Sequence, residues 1–295
     1  MLNEMKSRLS DKKTEFAGNL DFRNVNLIAQ KEILSSLRNK WFLLYTIIFA
    51  ALSLALSLIG LSGLEIYGVS GFGRTTASLI NMILLFVPLM GLTLGAMSIA
   101  YERERGTLIY ILSQPITYFE VLLGKYLGQA LSILGSLILG FGLSGFVIAY
   151  KGGSADVTGY VFFILLTFLL ALVSLSIGMF ISSIFKKYDT ALGVSIFTWL
   201  FLVVFSDLGI IGTSFLTNLD INQVFYLSLI NPLQVFKLSA IFSMRNNLEI
   251  LGPVGVYATR SYGAGLQYLL IGILTFASMI FIALTNKIFK SRGAV

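Results

Sequence analysis

The sequence predicts an all-α polytopic membrane protein with six transmembrane helices, an N-terminal interfacial elbow helix and both termini in the cytoplasm. Three observations predict it. First, 56% of the 295 residues are hydrophobic, 12% are charged and mean hydropathy is +0.87. A soluble domain carries about twice that share of charge, so this chain cannot cover a water-facing surface. Second, the apolar residues gather in six runs of about 20 residues or more, the length a helix needs to cross a bilayer. Third, the 21 Lys and Arg are unevenly divided between the two sides of those runs. Only Arg74, Lys151, Lys237, Arg245 and Arg260 fall on one side, and the other sixteen fall on the side of both tails. The basic excess marks the cytoplasm. Net charge of +7 therefore reports orientation, and nucleic acid is not an expected partner. There is no Cys and no His, which removes disulfides, thiol nucleophiles, imidazole bases and ordinary zinc or haem sites.

Residues 1–21 are polar, mixed in charge and unlike a signal peptide; they read as a cytoplasmic tail. Residues 22–40 have helical periodicity. Phe22, Val25, Ala29, Ile33 and Leu37 share one face, and Asn24, Lys31, Ser35 and Arg38 the other, as in a helix lying in the membrane interface. The spans follow at about 41–61, 79–101, 126–150, 160–185, 191–216 and 266–285. Trp41 anchors the first at its inner end, and Pro88 predicts a kink or a freed carbonyl in the second. Gly128, Gly135 and Gly142 in the third, with Gly124 and Gly145 near the same stripe, predict close approach of another helix. Residues 217–265 read as the longest outer loop, and 286–295 as a basic cytoplasmic tail.

The stretch 102–125, ERERGTLIYILSQPITYFEVLLGK, lies between spans two and three on the cytoplasmic side. Glu102, Arg103, Glu104 and Arg105 end the second span, and Gly106 permits a sharp turn. Thr107 to Leu112 is too short to cross a bilayer, and Ser113, Gln114 and Pro115 stop it. Thr117 and Glu120 form a capping box that starts the next helix. An apolar turn flanked by charge suits a protein partner. It equally suits a connecting loop lying on lipid headgroups.

Two glycine-rich stretches mimic phosphate loops. Gly68–Thr75 has Arg where Lys is needed, lies on the outer side and follows no strand. Gly124-Lys125 is followed by Tyr126. Neither holds nucleotide, so an ATP-driven process would need another polypeptide.

Glu-x-Glu-x-Gly-Thr-Leu, then Leu-Ser-x-Pro, then a Lys at the next span closely resembles the ABC-2 type transporter permeases. The residues are Glu102, Glu104, Gly106, Thr107, Leu108, Leu112, Ser113, Pro115 and Lys125, and Lys31-Glu32 matches the family's elbow helix. The resemblance covers residues 25–290. It implies that 102–125 is a coupling loop, with Glu102, Glu104, Arg105, Gly106, Thr107, Leu108, Leu112, Ser113 and Pro115 docking on a separate ATPase subunit. It implies two copies of this permease and two ATPases, with ATP and Mg held by the ATPase and no cofactor in this chain. Shorter likenesses are Lys125-Tyr-Leu-Gly-Gln, Trp199 to Leu208, and Leu229-Ile-Asn231-Pro232. They point to the subgroup that supports copper-site assembly of nitrous oxide reductase, with a periplasmic, NosD-like accessory protein. The family also exports drugs, lipids, polysaccharides and ions, and a scaffold that transports nothing would read alike.

Asp207 is the one acid inside an apolar run. At 1.5 Å per residue it lies about 24 Å along its helix from Ala191, near the outer end. It suits a translocation path and suits equally an acid reaching the outer interface. In ABC-2 permeases the region of Asn231 and Pro232 resembles short re-entrant helices that gate the outer side; a surface turn is the plainer reading. Met82, Met90 and Met97 share a side of span two. Packing explains them better than a copper ladder. A membrane-embedded enzyme would need clustered acids, His or Cys at one depth, and the spans offer only Asp207.

Overall fold

A computed structural model describes residues 20–62, 71–151, 157–216, 220–243, 253–263 and 265–292. Among these, every regular element is an α-helix and no strand occurs. The helices are α1 (Phe22–Arg38), α2 (Lys40–Ser62), α3 (Gly71–Glu104), α4 (Thr107–Leu112), α5 (Tyr118–Lys151), α6 (Val157–Ile184), α7 (Tyr188–Leu216), α8 (Ile221–Ser228), α9 (Pro232–Ser243), α10 (Pro253–Tyr262) and α11 (Gly265–Arg292). Six of them, α2, α3, α5, α6, α7 and α11, are long and apolar enough to cross a membrane. Residues 1–19 of the expected tail, and 68–70 of the first phosphate-loop mimic, lie outside the described residues.

The α3–α6 pair is the centre of the bundle. A Cβ added at Gly95 would lie 2.5 Å from the Leu175 carbonyl, and one at Gly178 would lie 2.4 Å from the Leu92 carbonyl. The two backbones touch, as small residues allow in apolar surroundings. Near the α4 end the Ser182 hydroxyl accepts the Ile99 and Ala100 N–H groups at 3.0 and 2.8 Å and donates to the Ala96 carbonyl. Pro88 offers the Leu84 carbonyl no donor. The adjacent Leu85 carbonyl accepts the Trp199 indole N–H from α7 at 2.9 Å.

The glycine stripe of α5 divides. Gly124 and Gly128 face α1, where a Cβ on Gly128 would meet the Ala29 carbonyl at 2.5 Å, and Gly140 receives the Phe49 ring of α2. Gly135 and Gly142 have nothing within 4 Å, because α1 ends at Arg38 and cannot follow the stripe further. The face of α1 that meets α5 shares Val25 and Ala29 with the apolar face read in sequence but is rotated from it. Val25, Ala29, Glu32 and Ser36 are buried, while Phe22, Leu27, Leu34 and Leu37 are exposed.

Four boundaries differ from the sequence reading. Helix α3 begins at Gly71, eight residues before the expected start of span two. Residues 118–125 are the first two turns of α5, because the capping box at Thr117 starts that helix. The basic end continues α11 as far as Arg292. Residues 217–265, read as a loop, contain α8, α9 and α10. Apolar side chains fold them inward: Leu233, Val235, Phe236, Leu238 and Ala240 of α9 are buried, and Phe236 packs on Phe163 of α6 with ring centroids 6.2 Å apart.

Candidate coupling site

At the end of α3 the chain reverses through Gly106, whose φ is +71° and ψ 0°. That left-handed conformation is cheap only for glycine. Thr107 Oγ1 donates to the Glu102 carbonyl at 3.2 Å and closes the turn. The short α4 ends where Ser113 N–H donates to the Ile109 carbonyl at 2.9 Å, and Pro115 follows. The capping box is reciprocal: Glu120 Oε2 accepts the Thr117 N–H at 2.9 Å, and Thr117 Oγ1 accepts the Glu120 N–H at 3.2 Å. Glu120 Oε1 also accepts the Asp21 N–H at 2.8 Å, while Asp21 Oδ1 caps α1 through the Arg23 N–H. One carboxylate thus fixes the starts of two helices.

The structure sorts the residues expected to meet a partner. Glu104, Arg105, Thr107, Ser113 and Pro115 are exposed, Gly106 and Leu112 are half-buried, and Glu102 and Leu108 are buried. The exposed large apolar side chains of α4 are Tyr110 at 75% and Ile109 at 55%. Neither is among the residues that the family resemblance marks for docking. Helical phase was the available signal: with Leu108 inward, the next two residues must point away from the bundle.

Glu104 and Arg103 join the turn to the rest of the bundle. Glu104 Oε2 accepts the Tyr188 N–H at 2.7 Å and caps α7. Arg103 Nη1 donates to the Ser183 and Phe185 carbonyls at 3.3 and 3.1 Å, and Arg292 Nη1 donates to the Ile184 carbonyl between them. Two guanidinium groups therefore satisfy the last turn of α6, where the helix dipole favours cations. The Arg105 guanidinium lies 4.3 Å from the centroid of the Tyr101 ring, within cation–π range.

Beneath the turn is a buried cluster of charge. Lys125 Nζ lies 2.8 Å from Glu32 Oε1 and 2.9 Å from Glu102 Oε2. Lys31 Nζ lies 2.7 Å from Glu102 Oε1 and 4.0 Å from Glu32 Oε1. Gln129 Nε2 reaches Glu32 Oε2 at 3.4 Å. Residues noted separately in the sequence on α1, α3 and α5 meet at one point.

At the opposite end of the bundle, α8 and α9 meet at 108°. Asn231 is buried at the joint. Its Oδ1 accepts the Leu233 N–H at 3.0 Å and its Nδ2 donates to the Leu202 carbonyl of α7 at 2.9 Å. Pro232 is the first residue of α9, where its missing N–H costs nothing. Asp207 is helical within α7, and its side chain lies outside the described residues. Met82 and Met90 are in the apolar core, and Met97 Sδ accepts from Asn39 Nδ2 at 3.7 Å. Among the described residues no group of three or more acids, His or Cys is placed to hold a metal.

The six long apolar helices, the broken α8–α9 pair and the charged turn on α4 agree with the wider match. Residues 26–293 match the family model for the ABC-2 family transporter protein. The chain belongs to the ABC-2 family. It is 27% identical over 248 residues to the probable ABC transporter permease protein NosY of Stutzerimonas stutzeri, covering 82% of this chain and 90% of that protein. It is 29% identical over 217 residues to the protein of the same description in Pseudomonas aeruginosa, covering 72% and 79%. This ABC-2 permease is thus a membrane subunit of an ABC transporter, a class in which ATP is hydrolysed by a separate subunit.

Proposed function

We propose that two copies of this permease sit on two ATPase subunits, and that the ATPase grips the chain at α4. The observation that carries this reading is the exposed Ile109–Tyr110 pair on a short helix whose roots, Glu102 and Leu108, are buried. A flat aromatic beside an aliphatic, ringed by Arg105, Thr107 and Ser113, suits a protein groove better than water. The basic excess supports placing this end, and both termini, on the cytoplasmic face of the inner membrane. ATP and Mg belong to the ATPase, and this chain holds no cofactor. Closure of the ATPases pushes α4 and moves α3 and α5. The joint at Asn231 and Pro232, with Asp207, forms the gate at the outer end.

Similarity to the NosY permeases supports a role in copper-site assembly of nitrous oxide reductase, with a NosD-like accessory protein received at the α8–α10 end. The permease then exports a cargo for that assembly or transmits force to the accessory protein. Two experiments test the reading. Ile109→Asp and Tyr110→Ala should each weaken co-purification with a candidate ATPase subunit by at least about tenfold, the scale of an interface hot spot. Unchanged recovery overturns docking at α4. Expression of this chain in a NosY-deficient host should restore the copper absorbance of nitrous oxide reductase; a host that stays copper-deficient, with the complex assembled, overturns the maturation role.

A further inference from the structure

Lys31, Glu32, Glu102 and Lys125 form a closed ring in which positive and negative groups alternate, with all four edges at 4.0 Å or less. The ring carries no net charge. Lys125 has 1% of its side chain exposed, and Lys31, at 54%, is the member that reaches outward. Each carboxylate is shared by two ammonium groups. Moving any one of the three helices therefore breaks two contacts.

Place and packing give this ring a task. Glu102 stands four residues before the left-handed Gly106, and its carbonyl holds Thr107 at the start of α4. On the other side, Gly124 and Gly128 seat α1 so closely on α5 that a Cβ would meet α1 atoms at 2.6 and 2.5 Å. A hinge at Gly106 with only apolar contacts around it would absorb a push, because apolar surfaces slide. An ion ring fixes direction and register, which is the best-attested use of buried charge.

We infer that Lys31, Glu32, Glu102 and Lys125 are a charge latch that makes α1, the end of α3, the root of α4 and the start of α5 one rigid block. Force on α4 then displaces the block instead of bending the chain at Gly106. The four side chains are positioning residues and touch no part of the ATPase. The inference rests on the docking of an ATPase at α4.

The chain has no Cys, so spin labels can be placed without background. Leu34→Cys on α1 and Gln114→Cys beyond α4 are both exposed. The full chain carries the two labels in lipid nanodiscs, diluted with unlabelled chain, and the distance distribution between them is measured. The otherwise unaltered chain should give one narrow distance. Glu102→Gln and Lys31→Met should each broaden it at least twofold, and Lys31→Arg should keep it narrow. Lys31 is half exposed, so the melting temperature of Lys31→Met should stay close to that of the parent and separate loss of the latch from loss of the fold. A broad parent distribution, or variants as narrow as the parent, overturns the latch. Addition of the ATPase and ATP should leave the parent distance unchanged; an ATP-dependent change in it also overturns the latch. Failure of the ATPase to bind the parent overturns docking at α4, and the widths measured without it still decide whether the latch exists.

Discussion

An ammonium group with 1% exposure inside an apolar bundle is tolerated because two carboxylates face it at 2.8 and 2.9 Å. Removing it leaves Glu102 its Lys31 contact at 2.7 Å but leaves Glu32 only Lys31 at 4.0 Å and the Gln129 amide at 3.4 Å. Lys125→Met should cost about 3–5 kcal/mol, the usual result of breaking a buried pair from one side. Lys125→Met combined with Glu32→Gln should recover part of that loss, since Glu102 keeps Lys31. Thermal denaturation of the four chains of this cycle in detergent checks it, and strict additivity would show that Lys125 and Glu32 do not interact. Lys125 was visible in the sequence as a motif residue, yet its burial was not. Counting helical turns from the Thr117 cap places it two turns inside α5. Only the fold brings Glu32 to Lys125 and Lys31 to Glu102, pairs 93 and 71 residues apart in the sequence. Glu102 was read as a partner contact for the same reason: sequence shows charge beside a turn and cannot show which charges turn inward.

At the scale of elements, α4 and α9 contrast. The turn, short helix, break and restart of 102–125 were all legible, since Gly106, Pro115 and the Thr117–Glu120 box are local signals. At Gly106 nothing lies within 4 Å of an added Cβ, so a substitution there meets no clash, only the backbone cost. Gly106→Ala should destabilise by about 1–2 kcal/mol, the cost of a left-handed L-residue, and Gly106→Asn by less. Melting temperatures of the two variants check the order. By contrast, composition reads α9 as loop, and only the family resemblance points to short helices around Asn231 and Pro232, because the register of α9 depends on remote partners. Gln234 Nε2 donates to the Ser206 hydroxyl at 2.8 Å and Gln267 Nε2 to the Ser239 hydroxyl at 2.9 Å. Those bonds let polar residues enter the bundle and lower the apparent hydropathy of the segment. Asn231→Ala should cost at least about 1 kcal/mol as a lost cap, and more because the Leu202 carbonyl also loses its donor. Amide exchange in α9 should quicken before exchange in α3, and equal protection in the variant would argue against this.

For the whole molecule, the six long helices were the most legible feature, because bilayer thickness sets their length and charge sets their flanks. How they pack was less legible. The Gly91-x-x-x-Gly95 spacing that seats α3 on α6 is present in the sequence, but one four-residue spacing is a weaker signal than the repeated heptad of α5. Sidedness is open to a direct check in a chain without cysteine. Ser113→Cys should react with an impermeant maleimide only in inverted vesicles, and Asp220→Cys, at the exposed start of α8, only in intact cells. The reverse pattern would invert the proposed topology.

The contact between Gly95 and Gly178 has a mechanical consequence. Backbone touches backbone there, with no side chain in between to change rotamer and take up a displacement. The two helices therefore tilt together more readily than either bends away from the other. On the proposed docking at α4, a stroke at the end of α3 passes through this pair to the start of α6, where Phe163 packs on Phe236 of α9. On that reading the joint at Asn231 is moved by a stiff arm running the height of the bundle.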